Sequence, residues 1–148
     1  MKKDAFKSPG RASTPEVDKL PRVGEALVHM GAQKFQWSFD KVDWGGPYCW
    51  STVSAEKILK EVIPRLKLLE QSNWAEVQST GSHAIEIENL IQAAQNRIKE
   101  LYDDQCDSVY SLRIQGKERV FGVKDMAVLR ILWWDPKHEV CPSKKKHT

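Results

Sequence analysis

Three runs of residues follow one another with only short polar joins: Val109-Tyr110-Ser111-Leu112-Arg113-Ile114, then Arg119-Val120-Phe121-Gly122-Val123, then Ala127-Val128-Leu129-Arg130-Ile131-Leu132-Trp133-Trp134. The first two are rich in β-branched and aromatic residues and are separated by Gln115-Gly116-Lys117, a glycine-containing turn, so they read as a hairpin. The third is apolar almost throughout, as a strand covered on both faces requires, and Lys124-Asp125-Met126 turns the chain into it. This antiparallel meander decides the fold class.

Working outward, the period changes upstream. Ile87, Leu90, Ile91, Ala94, Ile98 and Leu101 recur every three or four residues and predict a helix, with Gln92, Gln95, Asn96 and Lys99 on its solvent side. His83, in Gly81-Ser82-His83-Ala84-Ile85, is expected to open that helix. Before it, Ile58, Val62, Leu66 and Leu69 share one face of a helix over about 55–70, with Ser54 as its N-cap and a kink or break expected at Pro64. Asn73 to Glu76 reads as a connection and Ser79 to Ser82 as a polar loop. Phe35, Trp37 and Phe39 alternate with polar residues as a first strand, and Asp43-Trp44-Gly45-Gly46-Pro47 breaks regular structure after it. The expected fold is α+β, with order β-α-α-β-β-β and two helices on one face of an antiparallel sheet. Residues 1–34 are expected to be a flexible arm, 35–142 the domain, and 143–148 a basic tail.

Composition narrows the function classes. The 148 residues suit one domain, and hydrophobic and charged shares of 41% and 29% are globular. No apolar run approaches the roughly 18 residues of a membrane span. The start Met1 to Lys7 carries charge with no apolar stretch behind it, so a cytoplasmic protein without a secretory signal is expected. Three widely spaced cysteines, Cys49, Cys106 and Cys141, fit reduced thiols better than a disulfide framework. No His, Cys or carboxylate grouping has metal-ligand spacing, and no nucleotide-binding glycine loop or nucleophile elbow is present, so no metal and no cofactor are expected. The net charge of +3 leans weakly toward anionic partners.

Arg113, Lys117 and Arg119 bracket the hairpin, and the two arginines can project from one sheet face and hold phosphate oxygens through paired donors. Each can equally be a surface charge, or a partner of Glu118 or Asp125. Trp133-Trp134-Asp135-Pro136-Lys137-His138 presents His138 at the rim of the sheet, since Pro136 ends the strand and Asp135 favours a turn. A rim histidine beside arginines is suited to general acid or base work, its ordinary pKa being about 6.5. It can instead bond Asp135 and brace the turn. His83 can cap a helix, fill a polar pocket or meet His138 in space. One of Trp133 and Trp134 is expected to face the arginines as a stacking platform, the other the helices. Lys137 completes the expected substrate contacts.

The order of elements and the run from Leu112 through Gly122 resemble the RelE/ParE superfamily of toxins from bacterial toxin-antitoxin systems, over roughly residues 35–142. The matching motif is a strand ending in Leu-Arg, a turn with glycine and an arginine opening the next strand, here Arg113, Gly116 and Arg119. The resemblance implies a RelE-like toxin, an endoribonuclease (a hydrolase) acting on mRNA, with Arg119 on phosphate and His138 or His83 moving the proton. It also implies RNA or the ribosome as target, and an antitoxin that covers the basic face with an acidic amphipathic helix. Two features depart from the family pattern: Ser111 stands where a lysine is expected, and no tyrosine follows Val140. Both favour the alternative, a noncatalytic nucleic-acid-binding or ParE-like protein.

Overall fold

A computed structural model describes residues 30–142. Residues 1–29 of the expected arm and the tail 143–148 lie outside the described residues. The last residues counted in that arm are packed: Lys34 bridges Asn73, and the Gln33 carbonyl accepts from the Trp74 amide at 3.0 Å.

The meander forms as expected. β3 (Ser108–Arg113), β4 (Arg119–Asp125) and β5 (Val128–Asp135) pair antiparallel in sequence order. β1 (Gln36–Ser38) adds to the far edge of β5, but runs parallel to it. The sheet is therefore mixed and not purely antiparallel, because the chain crosses through the helices before it returns to lie beside β1.

Helix α1 comprises three consecutive stretches: Ala55–Lys57, a π-helical turn Ile58–Val62, and Ile63–Glu70. Ser54 caps it, its hydroxyl accepting from the Lys57 amide at 3.1 Å. Pro64 produces a widened turn where a kink was expected. The Ile63 amide reaches back five residues to the Ile58 carbonyl, which makes room where the proline ring would crowd the preceding turn. Val62, Leu66 and Leu69 are buried along one face, as their spacing requires.

Two segments differ from the sequence expectation. Residues expected as a connection form α2 (Trp74–Ser79), capped by the Asn73 side chain, with Trp74 and Val77 buried. The second long helix starts late, as α3 (Gln92–Tyr102), while His83–Glu86 is an extended edge strand, β2, paired with β3. His83 therefore sits on a strand and does not open a helix. The apolar period continues through Ile87 and Leu90, but a 3₁₀ turn at Ile87–Asn89 and extended backbone at Leu90 and Ile91 carry those side chains to the core. The five strands lie in the order β1-β5-β4-β3-β2.

The helices do not share one face. Val62, Leu66 and Leu69 of α1 and Trp74 and Val77 of α2 pack with Tyr110, Leu112, Val120, Ile131 and Trp134 in one core. Ala94 and Ile98 of α3 pack with Val109, Phe121, Leu132 and Trp133 in a second core on the opposite face. A bulge permits this. Phe121 pairs with Trp133 while Gly122 pairs with Ile131, so Leu132 is an extra residue and turns to the same side as Trp133. Burial on both faces is why β5 reads as apolar sequence interrupted only by Arg130 before its closing Asp135.

Asp43 ties the loop after β1 to the second core. Only 3% exposed, its carboxylate accepts from Arg97 Nε at 2.9 Å and Nη2 at 2.7 Å, from Trp133 Nε1 at 2.9 Å, and from the amides of Gly45 and Gly46. Burial opposes ionisation there, but the hydrogen bonds from Arg97, Trp133 and Gly45 outweigh it and hold the group at about 2. Among the described residues, no helix is long and apolar enough to cross a membrane.

Candidate functional site

Register decides which side chains meet. Directly opposed residues on neighbouring strands point to the same face. Arg113 opposes Arg119, which opposes Asp135; one row inward, His83 opposes Ser111, which opposes Phe121, which opposes Trp133. Both rows face the α3 side, while Tyr110, Leu112 and Ile114 enter the core beneath α1. The two arginines thus share a sheet face, as the hairpin pattern implies.

Beside these rows lies a cleft of about 600 Å³. His83, Glu86, Ser111, Arg119, His138 and Cys141 line it, drawn from β2, β3, β4 and the segment after β5. His83 and His138, 55 positions apart in sequence, both line this cleft together with Arg119. His83 is exposed at the start of the edge strand, its Nδ1 lying 3.2 Å from the Ala84 carbonyl oxygen. His138 is half-buried.

His138 is placed by its backbone. Asp135, 1% exposed, accepts from the Glu139 amide at 2.9 Å through Oδ1 and from the Val140 amide at 3.0 Å through Oδ2. It braces the turn through those amides and leaves the His138 ring without a bond to it. His138 takes a φ of 58°, in the left-handed region that non-glycine residues seldom occupy. Beyond it, fully buried Val140 anchors the segment in the second core, and its carbonyl accepts from the Ile91 amide at 2.9 Å.

Arg119 is half-buried, and its Nη1 donates to the Gly116 and Glu118 carbonyls at 2.7 and 3.0 Å. Burial, then the neighbouring Arg113, lowers its pKa, and Asp135 pulls the other way. Neither acid considered as a partner for the hairpin cations takes that part. Glu118 pairs with Lys57, and Asp125 with Arg130. Arg113, Lys117 and Arg119 make no ion pair among the described residues. Partly desolvated guanidinium without a carboxylate partner is what an anion site requires before its ligand arrives.

Other expected site residues fall elsewhere. Arg113 and Lys117 are exposed and stand outside the cleft lining, the Arg113 side chain lying along Gly81. Lys137 is exposed and is not among the residues that line the cleft. The expected tryptophan platform is not formed: Trp133 does face the arginine side, but it is fully buried under α3, and Trp134 is 6% exposed in the first core. Trp133 is core because α3 covers the face expected to be open, and Trp134 because it packs in the core beneath α1.

Glu86 and Ser111 are cleft residues that the sequence reading passes over, Ser111 entering it only as a missing lysine. Opposing His83 in register, Ser111 is 3% exposed, so a small side chain leaves the cleft its depth. Cys141 donates to the Asn89 carbonyl, and burial raises its pKa, which opposes a thiolate nucleophile. No group of three His, Cys, Asp or Glu residues able to hold a metal exists among the described residues. What the cleft offers is two imidazoles and one guanidinium, with the exposed Glu86 carboxylate also lining it, around a space of ligand size. Comparison with protein-family models, curated proteins and solved structures found no match to this chain.

Proposed function

We propose that the protein is an RNA-directed endoribonuclease that acts on mRNA without a metal, in the manner of RelE-type toxins. The observation that carries this reading is the convergence of His83, His138 and Arg119, the last without an ion-pair partner among the described residues, on one cleft. An RNA phosphate against Arg119 would have its 2′-hydroxyl deprotonated by one imidazole. The 2′-oxygen then attacks phosphorus, and the second imidazole, protonated, gives its proton to the departing 5′-oxygen. The bond from phosphorus to the 5′-oxygen breaks, leaving a 2′,3′-cyclic phosphate and a 5′-hydroxyl. Arg119 offsets the charge that develops on the phosphoryl oxygens. Arg113 and Lys117, outside the cleft, suit phosphates flanking the scissile one.

The toxin reading rests on this site and on the β3-β4-β5 hairpin motif, since β2 and α3 depart from the expected order of elements. A cognate antitoxin with an acidic segment belongs to the same proposal, as cover for the unpaired basic residues. Ser111, in place of a lysine, favours the second reading, nucleic-acid binding without cleavage. Purified protein incubated with single-stranded RNA in excess chelator separates the two. Cleavage with cyclic-phosphate ends, lost in His83→Gln, His138→Gln and Arg119→Ala, is the expected result. Binding with intact RNA selects the noncatalytic reading, and neither binding nor cleavage overturns both.

A further inference from the structure

Four polar or charged residues are buried among the described residues: Asp43, Ser82, Ser111 and Asp135. Three of them are satisfied within the chain. Asp43 and Asp135 accept the hydrogen bonds described above, and the Ser82 hydroxyl accepts from the Arg113 amide at 3.0 Å. Ser111 is the exception. It is 3% exposed and lines the cleft, and its hydroxyl has no hydrogen-bond partner among the described residues. Buried hydroxyls are ordinarily bonded, so one left open at the bottom of a cleft is a donor held for something that enters it.

Register sets its surroundings. His83 stands directly across on β2 and Phe121 directly across on β4, while Arg119, two residues before Phe121, is the diagonal neighbour on the same face. Diagonal neighbours lie roughly 7–8 Å apart, within reach of a long side chain. Arg119 Nη1 is fixed by the Gly116 and Glu118 carbonyls, and Nε and Nη2 have no partner among the described residues. Asp135 opposes Arg119 in register, but both its oxygens are held by the Glu139 and Val140 amides. Glu86 lies three positions along β2 from His83, roughly 10 Å from that end of the cleft.

We propose that this end of the cleft is a phosphate site, in which the Ser111 hydroxyl and the free Arg119 nitrogens donate to the oxygens of one phosphoryl group. The inference rests on the proposed reading of the cleft and adds Ser111 to it. Positive charge selects an anion. A planar carboxylate would occupy the arginine fork alone, whereas a tetrahedral phosphoryl group also turns oxygens toward the serine and the imidazoles. Two sources carry that chemistry: a phosphodiester inside a nucleic-acid chain, and a free or terminal phosphate.

Calorimetric titration of the full chain at constant ionic strength tests it. One probe is inorganic phosphate up to about 20 mM, which brackets a millimolar dissociation constant. The other is a thymidine dinucleotide, whose single phosphate is an internal diester and which lacks the 2′-hydroxyl needed for cleavage. Saturable binding of at least one probe is expected, weakened at least about tenfold in Ser111→Ala and in Arg119→Ala, as loss of a hydrogen bond to a charged group implies. Ser111→Ala should melt at or above the parent temperature, since it removes a hydroxyl that the fold itself does not bond. Binding of inorganic phosphate supports the site and assigns it to free or terminal phosphate; binding of the dinucleotide alone supports it as a site for chain phosphates. Binding of neither probe, or binding unchanged in Ser111→Ala, overturns the inference. So does affinity lost together with a lowered melting temperature, which makes the hydroxyl structural. RNA cleavage by the same preparations keeps the two proposals apart. Ser111-dependent phosphate binding with intact RNA overturns the ribonuclease alone, and cleavage with Ser111-independent binding overturns this inference alone.

Discussion

His138 carries two pieces of evidence that pull apart under mutation. Its φ of 58° is strained for any residue with a Cβ and relaxed for glycine. A histidine kept only to shape the turn would therefore be replaced by glycine without loss, with a gain of up to about 1 kcal/mol. A histidine that moves a proton would not. His138→Gly is expected to keep or raise the melting temperature while lowering RNA cleavage by roughly 10²-fold or more, the usual worth of a general acid or base. Thermal melts and single-turnover cleavage on the same preparation decide it, and cleavage preserved in the glycine variant would take His138 out of the site. Asp135 was a candidate bond partner for this ring; the structure instead spends both its oxygens on backbone amides. Its part is to position the turn that presents His138.

At the scale of elements, the loop after β1 is held to α3 and β5 by one carboxylate. Gly46 makes that possible, since a Cβ there would fall 2.4 Å from Asp43 Oδ2 and 2.6 Å from Arg97 Nε. Neither atom can retreat without breaking the ion pair. Gly46→Ala is expected to destabilise by about 2 kcal/mol or more, and Asp43→Ala by about 2–3 kcal/mol, because it leaves the buried Trp133 indole N–H and the Arg97 Nε and Nη2 donors without their acceptor while Arg97 Nη1 keeps Glu100. Urea denaturation measures both. Equal effects of under about 0.5 kcal/mol, the scale of surface substitutions, would show that the loop is not fastened in this way.

For the whole molecule, the same carboxylate sets an acid limit on stability. Asp43 is held at about 2 in the folded chain against 3.8 for the free group, so the folded state favours its ionised form. A depressed carboxyl contributes stability that is fully present above the unfolded value and is lost as pH falls through the folded one. The contribution is about 2 kcal/mol, at about 1.4 kcal/mol for each unit of depression. Unfolding free energy should thus decline between about pH 4 and pH 2, and Asp43→Asn should flatten that part of the profile while lowering the plateau. A parent and variant with parallel profiles would remove Asp43 from this role.

Much of this architecture is legible in the sequence. Period-two alternation and a glycine turn suffice for the β3-β4 hairpin, a nearly continuous apolar run for β5, and four apolar residues at helical spacing for α1, because these signals are local and each element answers to its own residues. The shared face of Arg113 and Arg119 follows from hairpin register alone. What lies beyond reach is set by contacts distant in the chain. β2 is too short, with Ile85 its single buried residue, for alternation to be told from the helical period that follows it. The bulge at Leu132 shifts the facing of half of β5, and with it the fate of Trp133, through one extra residue that no local pattern announces. The side of the sheet taken by α3, the burial of both tryptophans, the Asp43 network and the placing of His83 and His138 on one cleft all depend on how separate elements stack. Sequence determined the β3-β4-β5 meander, α1 and which residues bear charge; tertiary packing decided α2, β2 and which of those residues share a cleft, since proximity across 55 positions is a property of the folded chain alone.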